Sequence, residues 1–264
     1  MTVAEPPSYE VLVAGWKSLR ARDGVTVREV AMVGAQRTML VVDIVNASGA
    51  PTVAVAAGVH GDEPAAPWSL YSIVRDGLLA QEYNYRLWPC TNPSGYALGT
   101  RVNAEGFDVN RSFNRGGETP EARTIITANR DRTFALTLDL HEDFEADGFY
   151  CYEPVVAGTA PYGAFVIRAL DDAGLPVQDL TDVFDLGYAP EASHLRALER
   201  GRVLPDPRAE MAHQDGWPYS LFLLRRAARR SLTLETPRRR AWHERIAMHR
   251  VAVCAALARL RDVA

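Results

Sequence analysis

The sequence predicts a single α/β domain over residues 1–264, in which a mixed, mostly parallel central β-sheet carries helices on both faces. Short apolar runs alternate along the chain with segments of helical periodicity, a pattern that favours such a sheet. Apolar residues make up 47% and charged residues 23% of the chain, as in ordinary soluble globular proteins. No repeat, low-complexity segment or Ser/Gly-rich linker divides the 264 residues, so one domain is the simpler prediction.

The first half of the chain is predicted to begin with a helix that is followed by strands. Apolar residues recur at helical spacing over residues 9–22, and turns at 34–36 and 48–51 separate the strands that follow. The run at 52–57 is partly β-branched and ends at Gly58, which is typical of a central strand covered on both faces. The elements predicted here are helices at 9–22 and 64–79 and strands at 26–33, 39–45, 52–57 and 85–88.

The second half begins with a long irregular stretch, residues 90–118, that is rich in Gly, Asn, Arg and Pro. Loops of this length inside compact domains are usually functional. Strands and helices alternate again after it, which extends the α/β pattern. The predicted elements are strands at 133–140, 148–152 and 231–235 and helices at 121–129, 162–173, 191–200, 219–228 and 241–261.

Charge and cysteine content exclude several classes of protein. The 29 basic and 33 acidic residues give a net charge of −4, which disfavours a general nucleic-acid binder. Cys90, Cys151 and Cys254 are odd in number and widely spaced, so they predict neither a disulfide framework nor a cysteine-based zinc site. The amino terminus lacks the pattern of a secretory signal, and no apolar run approaches the ~18 residues of a membrane helix. We therefore expect a soluble, cytoplasmic protein without a membrane partner.

Two short motifs follow predicted buried strands and supply candidate metal ligands. His60 and Glu63 lie three residues apart after the strand at 52–57, and His141 follows the strand at 133–140. Ligands of open α/β sheets bind at the carboxyl ends of the strands. Two histidines and a carboxylate are a usual ligand set of a catalytic zinc with an open fourth position, although they also admit other divalent ions. Taken separately, the first motif is explained better by a helix-start turn and the second by a buried, hydrogen-bonded histidine. The occurrence of both at strand ends is what favours a metal site.

The irregular stretch and the last predicted strand supply candidate polar partners. Arg101, Asn110 and Arg111 concentrate guanidinium and amide donors in one loop, as expected of a carboxylate-recognition site beside a metal. The alternative is a structural loop with solvated arginines and turn-capping Asn and Asp. Glu235 ends an apolar strand, and there it could be the general base of zinc-water hydrolysis or simply an exposed strand end.

In their order along the chain, these motifs resemble the zinc carboxypeptidase A family of metallopeptidases, a superfamily that includes the succinylglutamate desuccinylase/aspartoacylase branch. The matching segments are HGDE at 60–63, NPSG at 92–95, RVNAEGFDVNRSF at 101–113, DLHED at 139–143 and LETP at 234–237. The third and longest segment is the most specific. The resemblance implies the zinc carboxypeptidase fold.

The resemblance also implies roles for individual residues. His60, Glu63 and His141 would bind one Zn²⁺ ion, and Asp108 would orient His60. The remaining matches are Asn110 and Arg111 for gripping the substrate's free carboxylate, Arg101 for polarising the scissile carbonyl and Glu235 as the catalytic glutamate.

The sequence departs from the family at two places. The spacing from Glu63 to His141 is shorter than in the digestive carboxypeptidases. Tyr219 is a candidate for the tyrosine that covers the substrate in the peptidase branch, but it is equally consistent with a core residue. The NPxG and RxNxxGxDxNR patterns are more similar to peptidases and bacterial cell-wall peptide amidases than to desuccinylases.

The function predicted from these features is zinc-dependent amide hydrolysis. The leading interpretation is a metallocarboxypeptidase or peptide amidase that removes a C-terminal residue from small peptides. The alternative is an N-acyl amino acid deacylase of the succinylglutamate desuccinylase/aspartoacylase type, which would use the same ligands. A catalytically silent carboxylate-binding protein is disfavoured, because it would have no need for Glu235 as a base. The substrate in either enzyme carries a free carboxylate.

Two arginine clusters, residues 225–230 and 238–240, flank Glu235 in the sequence. A solvated helix face and loop explain them more simply than a nucleic-acid surface, given the acidic balance of the chain. A third interpretation places some of these arginines at the mouth of the crevice, where they would attract acidic substrates.

Overall fold

The structure, a computed structural model, describes residues 6–34, 36–114, 117–154, 158, 161–180, 195–213 and 216–262. These residues form a nine-stranded sheet. The strands are β1 (Val25–Val33), β2 (Arg37–Ile44), β3 (Thr52–Ala57), β4 (Asn84–Trp88), β5 (Leu136–Asp143), β6 (Tyr150–Tyr152), β7 (Leu195–Glu199), β8 (Arg202–Pro205) and β9 (Ser231–Pro237).

The strand order in the sheet is β1-β2-β4-β3-β5-β9-β6-β8-β7. The four central strands, β4, β3, β5 and β9, are mutually parallel. The pairs β1–β2, β2–β4, β6–β9 and β7–β8 are antiparallel, whereas β6 and β8 pair in parallel. The predicted fold class, a mixed sheet with a parallel centre and helices on both faces, is confirmed.

The helices are α1 (Tyr9–Ser18), α2 (Ala65–Arg75), α3 (Pro93–Leu98), α4 (Pro120–Ala128), α5 (Gly163–Asp172), α6 (Pro207–His213), α7 (Tyr219–Arg226) and α8 (Trp242–Asp262). Short 3₁₀ turns lie at Leu19–Ala21 and Val109–Arg111. None of the helices in the described part of the chain combines the length and the apolar character that a membrane span requires.

The hydrophobic core lies in two layers, one on each face of the sheet. Alternation along β3 divides its side chains, so that Val53 and Val55 belong to one layer and Ala54 and Ala56 to the other. Helices α1, α2, α5 and α8 cover the first layer, whereas α4 and α7 cover the second. Burial on both faces explains why the central strands read as continuous apolar runs.

The helix predicted at 191–200 is wrong where the structure describes it. Residues Leu195–Glu199 form strand β7, which pairs antiparallel with β8, and residues 191–194 lie outside the described residues. Gly201, with φ +70°, lies in the turn between the two strands. The apolar periodicity of a five-residue segment cannot distinguish a helix from a strand, and pairing with β8 makes this segment a strand. Strand β8, helix α6 and the short helix α3 within the long loop were not predicted from the sequence.

Candidate active site

Three parallel strands bring the predicted chemistry to one end of the sheet. His60 lies in the turn after β3, His141 lies near the end of β5, and Glu235 lies near the end of β9. The register between β5 and β9 places His141 directly beside Glu235. Parallel strands present their carboxyl ends at the same edge, so residues far apart in sequence meet there.

His60, Glu63 and His141 form a buried cluster whose ligand atoms all lie within 4.8 Å of one another. One oxygen of Glu63, Oε1, lies 2.5 Å from His60 Nδ1, and the other, Oε2, lies 3.0 Å from His141 Nδ1. Each of the three residues is at most 3% exposed. Two imidazole nitrogens and a carboxylate, converging in a buried position, fit a divalent metal ion.

An aspartate stands behind each histidine. His60 Nε2 lies 3.5 Å from Asp108 Oδ1, as the resemblance implied, and His141 Nε2 lies 3.2 Å from Asp139 Oδ2. Asp139 precedes His141 by two residues on β5, so both side chains lie on the same face of the strand. Carboxylates in this position fix the ring orientation of a ligand histidine.

The charges in the cluster stabilise one another. Burial lowers the pKa of His60, but the Glu63 and Asp108 carboxylates outweigh burial and raise it above its usual value. Burial also lowers the pKa of His141, but the carboxylates of Asp139, Glu63 and Glu235 outweigh burial and raise this pKa well above its usual value. Burial raises the pKa of Glu63, yet the two histidines hold it far below its ordinary value. Glu63 is therefore a carboxylate at neutral pH, as a metal ligand must be.

Glu235 has an environment suited to proton transfer. Desolvation raises its pKa to about 8, and the nearby carboxylates of Glu63 and Asp143 add to the rise, whereas His141 opposes it. A carboxyl group whose pKa lies near neutrality can both accept and donate a proton. A bound cation would lower this pKa again by direct electrostatic attraction.

The long loop places the predicted polar residues beside this cluster. Arg101 donates from Nε and Nη2 to Asp108 Oδ2, at 3.2 and 3.1 Å, and its Nη1 lies 3.4 Å from His60 Nδ1. Asn110 Oδ1 accepts from the Tyr219 backbone N–H at 3.0 Å, which orients the amide. The Arg111 Nη1 donates to the Asn110 carbonyl at 3.1 Å. Backbone and carboxylate contacts therefore hold all three side chains.

A cavity of about 430 Å³ contains all of these groups. Every residue predicted to act in catalysis, substrate binding or metal binding lines it: His60, Glu63, Arg101, Asn110, Arg111, His141 and Glu235. The volume lies within the range of sites for small organic ligands. The structure thus places the whole predicted set around one space.

The comparisons with known proteins agree with this geometry. The family model of the succinylglutamate desuccinylase/aspartoacylase catalytic domain matches residues 49–178. A stretch covering 31% of this chain is 29% identical to carboxypeptidase SOL1 of Arabidopsis thaliana, and it spans only 21% of that protein. The family resemblance is confirmed.

Solved structures of metallocarboxypeptidases share the fold. A candidate metallopeptidase from Shewanella denitrificans matches 95% of this chain and 89% of its own at a TM-score of 0.75 and 20% identity. The metallo-carboxypeptidase of Burkholderia cenocepacia matches with a TM-score of 0.71 at 18% identity, covering 98% of this chain and 70% of its own. Carboxypeptidase A of Helicoverpa armigera matches with a TM-score of 0.68 at 19% identity, covering 98% and 74%.

The cavity also contains residues that were not predicted from the sequence as site residues. Tyr150 lies opposite Glu235 in the antiparallel register of β6 and β9, and its hydroxyl donates to Asp143 Oδ2 at 2.8 Å. Glu210, at the start of α6, lines the wall and is 6% exposed. Pairing across β9 could have pointed to Tyr150, but no sequence signal connects Glu210 with the motifs.

A buried ion pair supports the ligand cluster from behind. Glu142 pairs with Arg245 of α8, and its Oε1 accepts from the Ala65 N–H at 2.6 Å. The Glu142 backbone N–H donates to Glu63 Oε2 at 3.1 Å. This arrangement connects the start of α2 and the candidate metal ligand Glu63 to β5.

The structure shows Tyr219 as a core residue and not as a tyrosine that covers the substrate cavity. Its side chain is 1% exposed and packs on Phe113, with ring centroids 5.5 Å apart. It begins α7 in the second core layer and does not line the cavity, unlike its neighbours Pro218 and Ser220. Tyr219 therefore packs in the second core layer.

Proposed function

We propose that this chain is a zinc-dependent hydrolase of amide bonds that removes the C-terminal residue of small peptides. One observation carries the proposal: the buried His60–Glu63–His141 cluster, the carboxyl group of Glu235 and the hydrogen-bond donors of Arg101, Asn110 and Arg111 share one cavity. This combination supplies metal binding, proton transfer and substrate orientation together.

A zinc ion held by His60, Glu63 and His141 would lower the pKa of a bound water to about 7 and polarise the scissile carbonyl. Glu235 takes the proton of the attacking water and later delivers it to the departing amine. A cation held by His60, Glu63 and His141 would offset the rise in pKa that desolvation causes, so Glu235 would be the carboxylate that accepts the proton.

The loop residues stabilise charge and hold the substrate. Arg101, fixed by Asp108 beside His60, donates to the oxygen that becomes negative when the carbonyl is attacked. Asn110 uses its oxygen to accept from Tyr219, so its amide nitrogen remains to donate to a substrate carboxylate. Arg111 adds a guanidinium fork suited to the same group.

N-acyl amino acid deacylation is the second candidate. The family model that matches residues 49–178 describes the succinylglutamate desuccinylase/aspartoacylase catalytic domain, and this match favours it. In that reaction Asn110 and Arg111 would bind the carboxylate of an amino acid product. The metal ligands and Glu235 would keep the same roles, so the substrate alone separates the two candidates.

Mass spectrometry of products from a mixed panel tests the proposal. The panel contains peptides with free and amidated C-termini, muropeptide fragments and N-acyl amino acids, and the protein is loaded with Zn²⁺. We expect loss of single C-terminal residues from substrates with a free carboxylate. Cleavage confined to N-acyl amino acids would select the deacylase instead. Stoichiometric zinc binding with no turnover of any substrate would favour the silent carboxylate-binding protein.

The Glu235→Gln variant tests the assigned base. It should retain zinc, measured by elemental analysis, because Glu235 is not among the proposed ligands. Turnover should fall below detection, because glutamine cannot accept the water proton. A variant that turned over substrate at the normal rate would refute the role of Glu235.

Arg111→Ala tests the carboxylate grip. We expect kcat/KM for free-carboxylate peptides to fall by about tenfold or more, since a charge-assisted hydrogen bond is lost. Amidated peptides should be affected much less. Equal losses on both kinds of peptide would contradict the assigned role and indicate a structural effect of the substitution.

A further inference from the structure

A second cavity, of about 630 Å³, opens at the other end of the central strands. It is lined by residues at the start of β3, before β5 and between α7 and β9, including Thr52, Phe134 and Arg230. Arg230 immediately precedes β9 and lies five residues before Glu235, which corresponds to about 16 Å of extended chain. This cavity is therefore separate from the candidate active site.

Positive charge dominates the second cavity. Arg225, Arg226, Arg229 and Arg230 line it, and no described Asp or Glu does. None of these four arginines forms an ion pair with a described residue. The whole chain has a net charge of −4, so this concentration of cations is local. We call these four arginines and the cavity that they line the basic cavity.

The helix dipole of α7 accounts for the positions of only two of the four arginines. Arg225 and Arg226 lie in the last turn of α7, where cations are favoured. Arg229 and Arg230 lie beyond the helix, immediately before β9. The location also excludes the interpretation that residues 225–230 line the mouth of the catalytic crevice.

Two buried polar groups in the basic cavity have no hydrogen-bond partner among the described residues. Tyr162 is 1% exposed, and its hydroxyl is one of these groups. The other is Nη1 of Arg230, whose guanidinium carbon lies 4.8 Å from the centre of the Tyr162 ring. Buried polar atoms are nearly always hydrogen-bonded, so a hydroxyl and a guanidinium without partners in one cavity indicate a place for an acceptor.

We infer that the basic cavity binds a small phosphorylated anion. Arginine forks match phosphate oxygens, and the Tyr162 hydroxyl can donate to the same group. The cavity is larger than one phosphate needs and falls in the range of small-molecule sites. Phe134, Leu224 and Leu260 supply an apolar wall for an organic part of the ligand. A concave site of this size favours a small ligand over a nucleic-acid backbone.

Isothermal titration calorimetry on the full, metal-stripped chain tests this inference independently of the proposed hydrolase activity. Sodium pyrophosphate and ATP are the probes, at constant ionic strength, with sulfate as the control anion. We expect saturable 1:1 binding of at least one probe. Pyrophosphate binding alone would identify the phosphate groups as the recognised part, and tighter ATP binding would add a contribution from the apolar wall.

Matched variants locate the bound probe. Arg230→Gln should weaken binding by about tenfold or more, and Tyr162→Phe, which removes only the hydroxyl, by about threefold. Arg239→Gln removes an equal charge from an exposed arginine near Asp147 and should leave binding unchanged. Arg111→Gln removes an arginine of the catalytic cavity and should also leave it unchanged. Circular dichroism verifies that each variant is folded.

Several outcomes would overturn the inference. The first is the absence of saturable binding for both probes, and the second is equally tight binding of sulfate. Binding that Arg111→Gln abolishes and Arg230→Gln preserves would place the anion in the catalytic cavity. Binding of a single-stranded oligonucleotide without binding of either small probe would make the basic cavity part of a nucleic-acid surface.

Discussion

At the scale of single residues, the carboxylates behind the two histidines are as informative as the histidines themselves. Asp108 faces Nε2 of His60 and also accepts two hydrogen bonds from Arg101, so it connects a candidate metal ligand with the proposed carbonyl-polarising arginine. Asp139 faces Nε2 of His141 and is 1% exposed. A buried carboxylate in that position leaves Nδ1 as the nitrogen that faces Glu63.

Asp139→Asn should therefore weaken metal binding. Loss of such a supporting carboxylate typically costs about 10- to 100-fold in metal affinity. Zinc affinity is measured by competition with a chromophoric chelator. Asp147→Asn, at an exposed position, is the control and should bind zinc normally. An Asp139→Asn variant with unchanged affinity would show that His141 is held in place by its other neighbours.

At the scale of structural elements, the turn after β3 is pressed against the start of α3. The Asn92 side chain caps α3 by accepting from the Gly95 N–H at 2.9 Å. A Cβ atom added at Gly61 would lie 1.8 Å from the Gly95 carbonyl carbon and 2.1 Å from the Tyr96 nitrogen. Both are backbone atoms of α3, so only glycine allows the turn that carries His60 to approach this helix.

Gly61→Ala should consequently displace this turn. We expect a loss of zinc affinity of at least about tenfold, because metal sites require accurate ligand geometry. The thermal midpoint should also fall. Gly77→Ala is the matched control, since Gly77 has φ +67° with open space around it and should cost only about 1 kcal/mol, without an effect on zinc. Normal zinc affinity in Gly61→Ala would mean that α3 yields to the new methyl group.

At the scale of the whole molecule, α8 packs against both the first core layer and the end of the sheet that carries the candidate active site. His249 of α8 is fully buried, and its Nε2 lies 3.3 Å from Thr236 Oγ1 at the end of β9. Burial lowers the pKa of His249 to about 3, and the nearby His141 contributes to the decrease. The folded protein therefore keeps this histidine neutral at pH values where the unfolded chain protonates it.

This difference predicts a specific loss of stability in mild acid. Between the ordinary histidine pKa of about 6.5 and the folded value of about 3, the unfolded state binds more protons than the folded state. The contribution to stability is therefore complete above this range and falls by up to about 1.4 kcal/mol for each pH unit of acidification within it. Urea unfolding of the metal-free protein at pH 7.5 and pH 5 should show that His249→Gln loses about 2 kcal/mol less than the unsubstituted chain. His243→Gln, exposed on the same helix, should lose as much as the unsubstituted chain.

The central strands and their motifs could be predicted from the sequence because their signals are local. The run at 52–57 is buried on both faces, and its apolar composition alone identifies β3. His60, His141 and Glu235 follow or end such runs, so strand-end reasoning brings them together. The resemblance supplied the roles of Arg101, Asn110 and Arg111, which the loop composition alone left open.

The remaining features depend on contacts that no short segment encodes. The hairpin of β7 and β8 consists of strands of five and four residues, and pairing rather than periodicity forms it. Tyr219 carries no signal that separates a core residue from a substrate-covering one, because that depends on how α7 packs. In the sequence, residues 225–230 are only a run rich in arginine, and the fold is needed to show that they line a cavity.

The register of β5 against β9 limits which substitutions the candidate active site can tolerate. His141 and Glu235 are neighbours across one ladder, so the separation of their backbones is fixed at the ~4.8 Å spacing of adjacent strands. The length of the Glu235 side chain then decides how far its carboxyl group reaches into the cavity. Replacement by aspartate would withdraw this carboxyl group by about 1.5 Å, and the paired backbones cannot shift to compensate. We therefore expect Glu235→Asp to lose activity because its carboxyl group is too far away, even though aspartate and glutamate carry the same chemical group.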